Sequence, residues 1–258
     1  MKKVYSLSFF RDPESAYESP RCGASQGRFF ANFLPVIVRA FRSIFAPEGW
    51  ILAIHHDNRV REFGYFKVLE KMAERGMLVM EVMGESQGLC KSMLWRMLPI
   101  FKADGHVVCR DLDSLPSVRE LEAVNRWIYS GLPVSALHDS ISHRGTALMG
   151  GMVGFDTKWF KAKVAKDYAH WCEIEKQSGI DLRYHGSDQA LLHKVVWPLL
   201  TPEMVMSESR ESLGPLIDLR DQLSAHIGGA FHALPAQQWY DANMPDKEIL
   251  EIEKEVLG

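Results

Sequence analysis

The sequence predicts an α/β protein: one compact domain with a mostly parallel central sheet flanked by helices. Two observations lead to that class. Short, continuously apolar runs of strand length, such as Trp50–His55 (WILAIH) and Gly105–Cys109 (GHVVC), take turns with longer segments of helical apolar spacing. Strands that are apolar throughout belong to a sheet covered on both faces, as parallel sheets are. The 258 residues, 47% hydrophobic and 24% charged, are ample for such a core and exclude disordered or fibrous classes.

The elements follow in order. Lys3–Phe9 is rich in β-formers and opens the chain as a strand, and Gly27–Phe45 has helical apolar spacing. Trp50–His55 is the second strand. Glu62–Arg75 is an amphipathic helix closed by Gly76, where a C-terminal cap glycine belongs. Met77–Val82 is a strand, Leu89–Phe101 a helix and Gly105–Cys109 a short buried strand. Beyond it, Ser117 and Glu120 make a capping box for a helix reaching about Tyr129. A strand at Thr146–Phe155 follows, then a helix at Lys158–Lys176. Another helix, Ser187–Val196, stops before Trp197-Pro198, and Pro245–Leu257 reads as an acidic amphipathic helix. A soft boundary falls near residue 115, within one body.

A net charge of −3 gives no global basic field to recruit nucleic acid or anionic membrane. Cys22, Cys90, Cys109 and Cys172 lack CxxC spacing and read as reduced structural thiols, against a zinc ribbon or a disulfide scaffold. The N-terminal apolar run is too short for a secretory core, because charge returns at Arg11. Pro35, Arg39 and Arg42 interrupt Phe29–Phe45, which makes it a buried helix and not a membrane span. The expectation is a soluble, cytoplasmic protein.

The chemistry concentrates at Val107-Val-Cys-Arg-Asp-Leu-Asp-Ser114, where an apolar strand runs into two carboxylates spaced i, i+2. In extended chain Asp111 and Asp113 point to one side, at the carboxyl end of a parallel strand, where open α/β sheets place ligands. Two like charges so close call for a cation between them, and a hard divalent ion bridging to a diphosphate is the natural occupant. Arg110 is placed to pair with a phosphate or to brace Asp111. Without that context, D-x-D is a common polar turn.

At this segment the chain resembles GT-A-type glycosyltransferase-like proteins. The resemblance rests on Arg110-Asp-Leu-Asp-Ser114 followed by Arg119-Glu120 and Trp127. Further pieces appear in the same order: Ser6-Leu7, Tyr17, His56-Asp57, Trp95-Arg96, Gly150-Gly151-Met152, Gly186-Ser-Asp-Gln189 with Trp197-Pro198, and a late His226-x-Gly228-Gly229. It spans roughly residues 4–200, and Leu115-Pro116 and Val153 depart from the pattern. The resemblance implies a GT-A-like, Rossmann-related fold, with residues 1–115 as the nucleotide-sugar-binding half and 116–258 as the acceptor-side half. It implies a nucleotide-sugar donor, UDP-sugars favoured, and Mn²⁺ or Mg²⁺ held by Asp111 and Asp113. His226 is the implied third metal ligand, and its imidazole would favour Mn²⁺. Asp188 is the implied base or acceptor-positioning acid, with Asp113 beside it in catalysis; a plain helix cap is the alternative for Asp188. Donor contacts fall to Ser6, Tyr17, Asp57, Arg96, Arg110, Asp111, Gly150, Gly151, Gly228 and Gly229. The glycines allow close backbone approach, or in the case of Gly150-Gly151 a β-bulge.

Other readings stay open. A phosphatase using D-x-D as nucleophile would carry it near the N-terminus, and a polymerase-type nucleotidyltransferase would need a Gly-Ser helix start that Lys91–Arg96 lacks. Another D-x-D metal-dependent phosphotransfer enzyme and a non-catalytic nucleotide-sugar-binding protein remain. The acceptor is open among glycan, protein, small metabolite and, as in virus-type enzymes, modified DNA bases. The oligomeric state is equally open.

Overall fold

The computed structural model describes residues 1–11, 33–140, 145–209 and 233–258. Among these residues seven strands build one sheet: β1 (Lys2–Phe9), β2 (Trp50–His56), β3 (Val79–Val82), β4 (Gly105–Arg110), β5 (Val134–His138), β6 (Met152–Asp156) and β7 (Val205–Ser209). Their order is β3-β2-β1-β4-β6-β5-β7. The pairs β1/β2, β2/β3, β1/β4 and β5/β7 are parallel. Strand β6 runs antiparallel between β4 and β5. The α/β architecture with a mostly parallel, helix-flanked sheet is thus as expected.

Both faces of the sheet are covered. One core packs Tyr5, Leu7, Phe9, Leu52, Ile54 and Val108 against α1 (Leu34–Ile44), α2 (Phe66–Glu74) and the far helices. The other sets Val4, Ala53, Val107 and Cys109 against α3 (Leu89–Met93), α4 (Pro99–Lys102) and later helices. Alternate residues of one strand therefore enter different cores, and for that reason these strands read as continuously apolar.

Several boundaries differ from the sequence expectation, each for a local reason. The helix expected at Glu62–Arg75 begins later. Asp57 caps a 3-10 turn, Asn58–Glu62, by accepting from Val60 N at 3.2 Å, and Phe63 is extended before α2 starts. Gly76 does adopt a left-handed φ of 73°, and the following strand shortens to Val79–Val82.

The single helix expected at Leu89–Phe101 is three pieces: α3, a 3-10 turn Leu94–Met97, and α4. Arg96 N donates to Ser8 Oγ on β1 at 2.9 Å, which ties the tightened turn to the sheet. Pro99, which has no N–H, then restarts the chain as a first-turn residue.

Ser117 caps α5 (Val118–Ser130), accepting from Glu120 N at 3.1 Å. The strand expected at Thr146–Phe155 begins only at Met152, because the residues just before it form a turn. The helix expected at Lys158–Lys176 is α6 (Thr157–Lys163) and α7 (Tyr168–Gln177), the second started by Asp167, which accepts from His170 N at 2.8 Å. Then come α8 (Ser187–Val195), α9 (Ala233–Asn243) and α10 (Lys247–Leu257). Strands β5 and β7 and helix α9 were not anticipated. The first part of Gly27–Phe45 lies outside the described residues, which resume at Phe33.

Candidate functional site

Strands β2 and β3 lie to one side of β1 and β4 to the other, so the chain reverses its direction of growth between β1 and β4. A crevice opens outside the carboxyl ends of strands at such a point. Asp111 leaves β4 there.

Against β1, β2 and β4 packs the 3-10 turn Leu94–Met97, fastened by its neighbours. Ser8 Oγ donates to Met93 O at 3.0 Å while accepting from Arg96 N, and Cys109 Sγ donates to Arg96 O at 3.5 Å. The turn delivers the Arg96 guanidinium, 2% exposed, between two carboxylates. Nη1 pairs with Asp111 Oδ1, and Nη2 donates to Asp188 Oδ2 at 2.7 Å. Burial disfavours the charge on Arg96, but the two aspartates outweigh it, so its pKa is raised. Asp188, in the first turn of α8, is buried, whereas the Asp111 side chain is 33% exposed and reachable from solvent.

Gly150 and Gly151 form the wall on which this cluster rests. A Cβ on Gly150 would lie 2.2 Å from Asp188 Oδ2 and 2.5 Å from Arg96 Nη2. One on Gly151 would lie 1.9 Å from Asp111 Oδ2. The register explains the approach: Arg110 is paired with Met152, which sets Asp111 beside Gly151. Close backbone approach, not a bulge or a positive φ, is what these two positions require.

Of the residues singled out from sequence, Arg96, Asp111, Gly150, Gly151 and Asp188 meet here. Asp113 is on the same turn as Asp111 and half-buried. Asp57, at the end of β2, turns its carboxylate to Val60 N and Arg11 N, both at 3.2 Å, and burial raises its pKa. Ser6 sits mid-strand in β1, buried, with no hydrogen-bond partner for its hydroxyl. Arg110 enters the same side of the sheet as Val108. It is fully buried, with Nε donating to Glu120 at 2.5 Å and Nη1 to Cys109 O at 2.8 Å and Val153 O at 3.1 Å. Tyr17, His226, Gly228 and Gly229 lie outside the described residues.

Two contributors were missed in sequence. Ser8, two residues after Ser6 on the same face of β1, could have been picked out as a polar residue near the ligand-bearing end of a buried strand. Cys90 could not: its Sγ lies 3.6 Å from Asp188 Oδ1, a contact across 98 residues of chain.

Two part-exposed carboxylates on one turn supply the hard oxygen donors that Mn²⁺ and Mg²⁺ take, with substrate oxygens and water to complete the shell. The donor chemistry fits such an ion. Among the described residues no group of three or more His, Cys, Asp or Glu is gathered as a metal cage.

No family model matches the sequence, and no curated protein matches it. Among solved structures, the chain is similar to Staphylococcus aureus TarS 1–349 in complex with UDP, at 12% identity and a TM-score of 0.44, over 74% of this chain and 54% of that one. It therefore spans about half the length of that TarS fragment. It is also similar to a 4-diphosphocytidyl-2C-methyl-D-erythritol synthase from Anaerococcus prevotii, at 10% identity and a TM-score of 0.47, over 93% and 96% of the two chains. Likenesses this distant carry no argument about activity. Among the described residues no helix is long and apolar enough to cross a membrane.

Proposed function

We propose that the protein is a metal-dependent glycosyltransferase. It moves a sugar from a nucleoside-diphosphate sugar, UDP-sugars favoured, to an acceptor hydroxyl. The observation that carries this reading is the convergence of Asp111, Arg96 and Asp188 on the Gly150–Gly151 wall at the crevice between β1 and β4.

Asp111 and Asp113 would hold Mn²⁺ or Mg²⁺, with His226 as the third protein ligand, and the bound ion would offset the charge that develops on the departing diphosphate. The remaining chemistry belongs to side chains. Arg96, held between Asp111 and Asp188, offsets part of their charge in a water-poor setting where such pairing acts strongly, so that the two carboxylates stand together beside the donor. Gly150 and Gly151, lacking side chains, leave room for the carboxylates and let the donor come close to the backbone; Gly228 and Gly229 serve the donor in the same way. Asp188 faces the acceptor, as base for its hydroxyl proton or as the group that orients it. Tyr17 and Asp57 complete the nucleoside side, whereas Ser6, enclosed in mid-strand, lies beneath it and makes no direct contact. Arg110, bonded to Glu120, Cys109 O and Val153 O, acts from beneath by holding the end of β4 against β6 and α5, in place of the phosphate contact or the bracing of Asp111 expected from sequence. The acceptor is a hydroxyl of a glycan, a protein, a small metabolite or a modified DNA base.

The test is donor hydrolysis across a set of nucleotide-sugars with Mn²⁺, comparing wild type with Asp113→Ala. Release of nucleoside diphosphate should fall at least a hundredfold in the variant, on the order of the loss when a charge-stabilising group is removed. Release that Asp113→Ala leaves intact would overturn the reading.

A further inference from the structure

We propose that Cys90 is a positioning residue for Asp188: its thiol holds one carboxylate oxygen while Arg96 holds the other. This rests on the catalytic reading of Asp188 given above.

Cys90 is fully buried in the first turn of α3, with Sγ 3.0 Å from Tyr184 O and 3.6 Å from Asp188 Oδ1. A thiol has one proton to give, so only one of these oxygens can receive it. Tyr184 O already accepts from Ser187 Oγ at 2.6 Å and from Ser187 N at 3.2 Å, which fills its two lone pairs. The carboxylate is the charged acceptor and the stronger one. Burial, with the charge of Asp188 adding to it, raises the Cys90 pKa, so the sulfur keeps its proton and remains a donor.

The second carboxylate oxygen, Oδ2, receives Arg96 Nη2 at 2.7 Å. Both holds come from one stretch of chain, residues 90–96. That stretch is itself fastened to the loop leading into α8, because Cys90 N and Lys91 N both donate to Leu182 O, at 3.1 and 3.2 Å. With Arg96 alone, the carboxylate could turn about its Cβ–Cγ bond. With a donor on each oxygen its plane is set, and so is the direction of the lone pair offered to an acceptor hydroxyl. The thiol touches neither donor nor acceptor and acts only through Asp188. Its loss should therefore lower the rate of the bound complex and leave donor affinity alone.

The experiment uses the full chain and two readouts. In infrared spectra, the S–H stretching band that disappears in Cys90→Ser should move to higher frequency in Asp188→Asn, as a thiol freed from a charged acceptor does. In kinetics with the best donor of the hydrolysis screen, Cys90→Ala should lower kcat about tenfold with KM unchanged, the scale of one hydrogen bond to a charged group. Cys90→Ser, which restores a donor, should recover most of that loss. A band that stays in place in Asp188→Asn, or a Cys90→Ala protein with undiminished kcat, would overturn the proposal. Should Asp188→Asn not fold, the Cys90→Ala and Cys90→Ser pair decides. Absence of turnover from every nucleotide-sugar in the wild type would overturn the proposed activity instead, while the band shift would still decide whether Cys90 holds Asp188.

Discussion

Gly151 shows how much a single residue decides at this site. Any side chain there would occupy the space of the Asp111 carboxylate, 1.9 Å from the Cβ position. Gly151→Ala must push Asp111 away from the crevice or move β6. Metal-stimulated donor hydrolysis should then fall by about two orders of magnitude, and unfolding should cost about 1–3 kcal/mol less, as overpacking does. Gly64→Ala, where a Cβ meets nothing within 4 Å, is the control and should change neither quantity. Hydrolysis rates and urea unfolding measure both. At this scale the two aspartates were legible in sequence, because a buried strand running into acid is a local pattern. The aim of Arg110 was in principle legible too. Adjacent strand residues face opposite ways, so Arg110 could not brace Asp111 directly, and it turns instead to Glu120.

The break between α3 and α4 is the element on which the site depends. Helical spacing ran unbroken through Leu89–Phe101, and nothing local except Pro99 marked an interruption. The chain there tightens to a 3-10 turn, and a bond to another element, Arg96 N to Ser8 Oγ, ties the turn that carries the Arg96 side chain to β1. Ser8→Ala removes that acceptor and the donor to Met93 O, two buried hydrogen bonds between β1 and the turn, at a cost of about 1–3 kcal/mol. The Arg96 guanidinium should then be less well placed, and kcat should fall more than stability alone explains. A Ser8→Ala protein that loses stability but keeps full kcat would show that the turn's position is irrelevant to turnover. The missed strands have a similar origin. Val134–His138 and Val205–Ser209 are short, and they become strands because β6 and β5 are there to pair with them.

Across the whole molecule, the sheet buries a titratable row as well as an apolar one. His55, on β2 beside Ser8, is enclosed with neither ring nitrogen hydrogen-bonded, and Glu81 lies 3.9 Å away. Burial, with the positive charge of Lys102 adding to it, pushes the His55 pKa down to about 3, so the ring is neutral and the contact with Glu81 is not an ion pair. The unfolded chain takes up this proton near the ordinary imidazole value of 6.5. Between these two values the unfolded state binds more protons. The stability that a neutral His55 allows is therefore complete above about pH 6.5 and is lost as pH falls towards about 3. Unfolding free energy measured by urea should drop through that window. In His55→Leu the drop should be shallower, with His56 and His106, both also lowered chiefly by burial, supplying what remains. Parallel curves for the two proteins would clear His55 of the effect.

The sequence alone determined what short-range pattern can encode. That comprises the buried parallel strands, the cap glycine at Gly76, the Ser117 cap, and an acidic pair at the end of an apolar strand, each set by residues a few positions apart. Tertiary structure decided the rest, since it depends on groups far apart in the chain: the antiparallel β6, the broken helix before β4, and the meeting of Arg96, Asp111 and Asp188 on two glycines. The cluster joins residues 96, 111 and 188 only because strand order sets β4 between β1 and β6. Sheet register, a property of the assembled fold, is what places Asp111 beside Gly151.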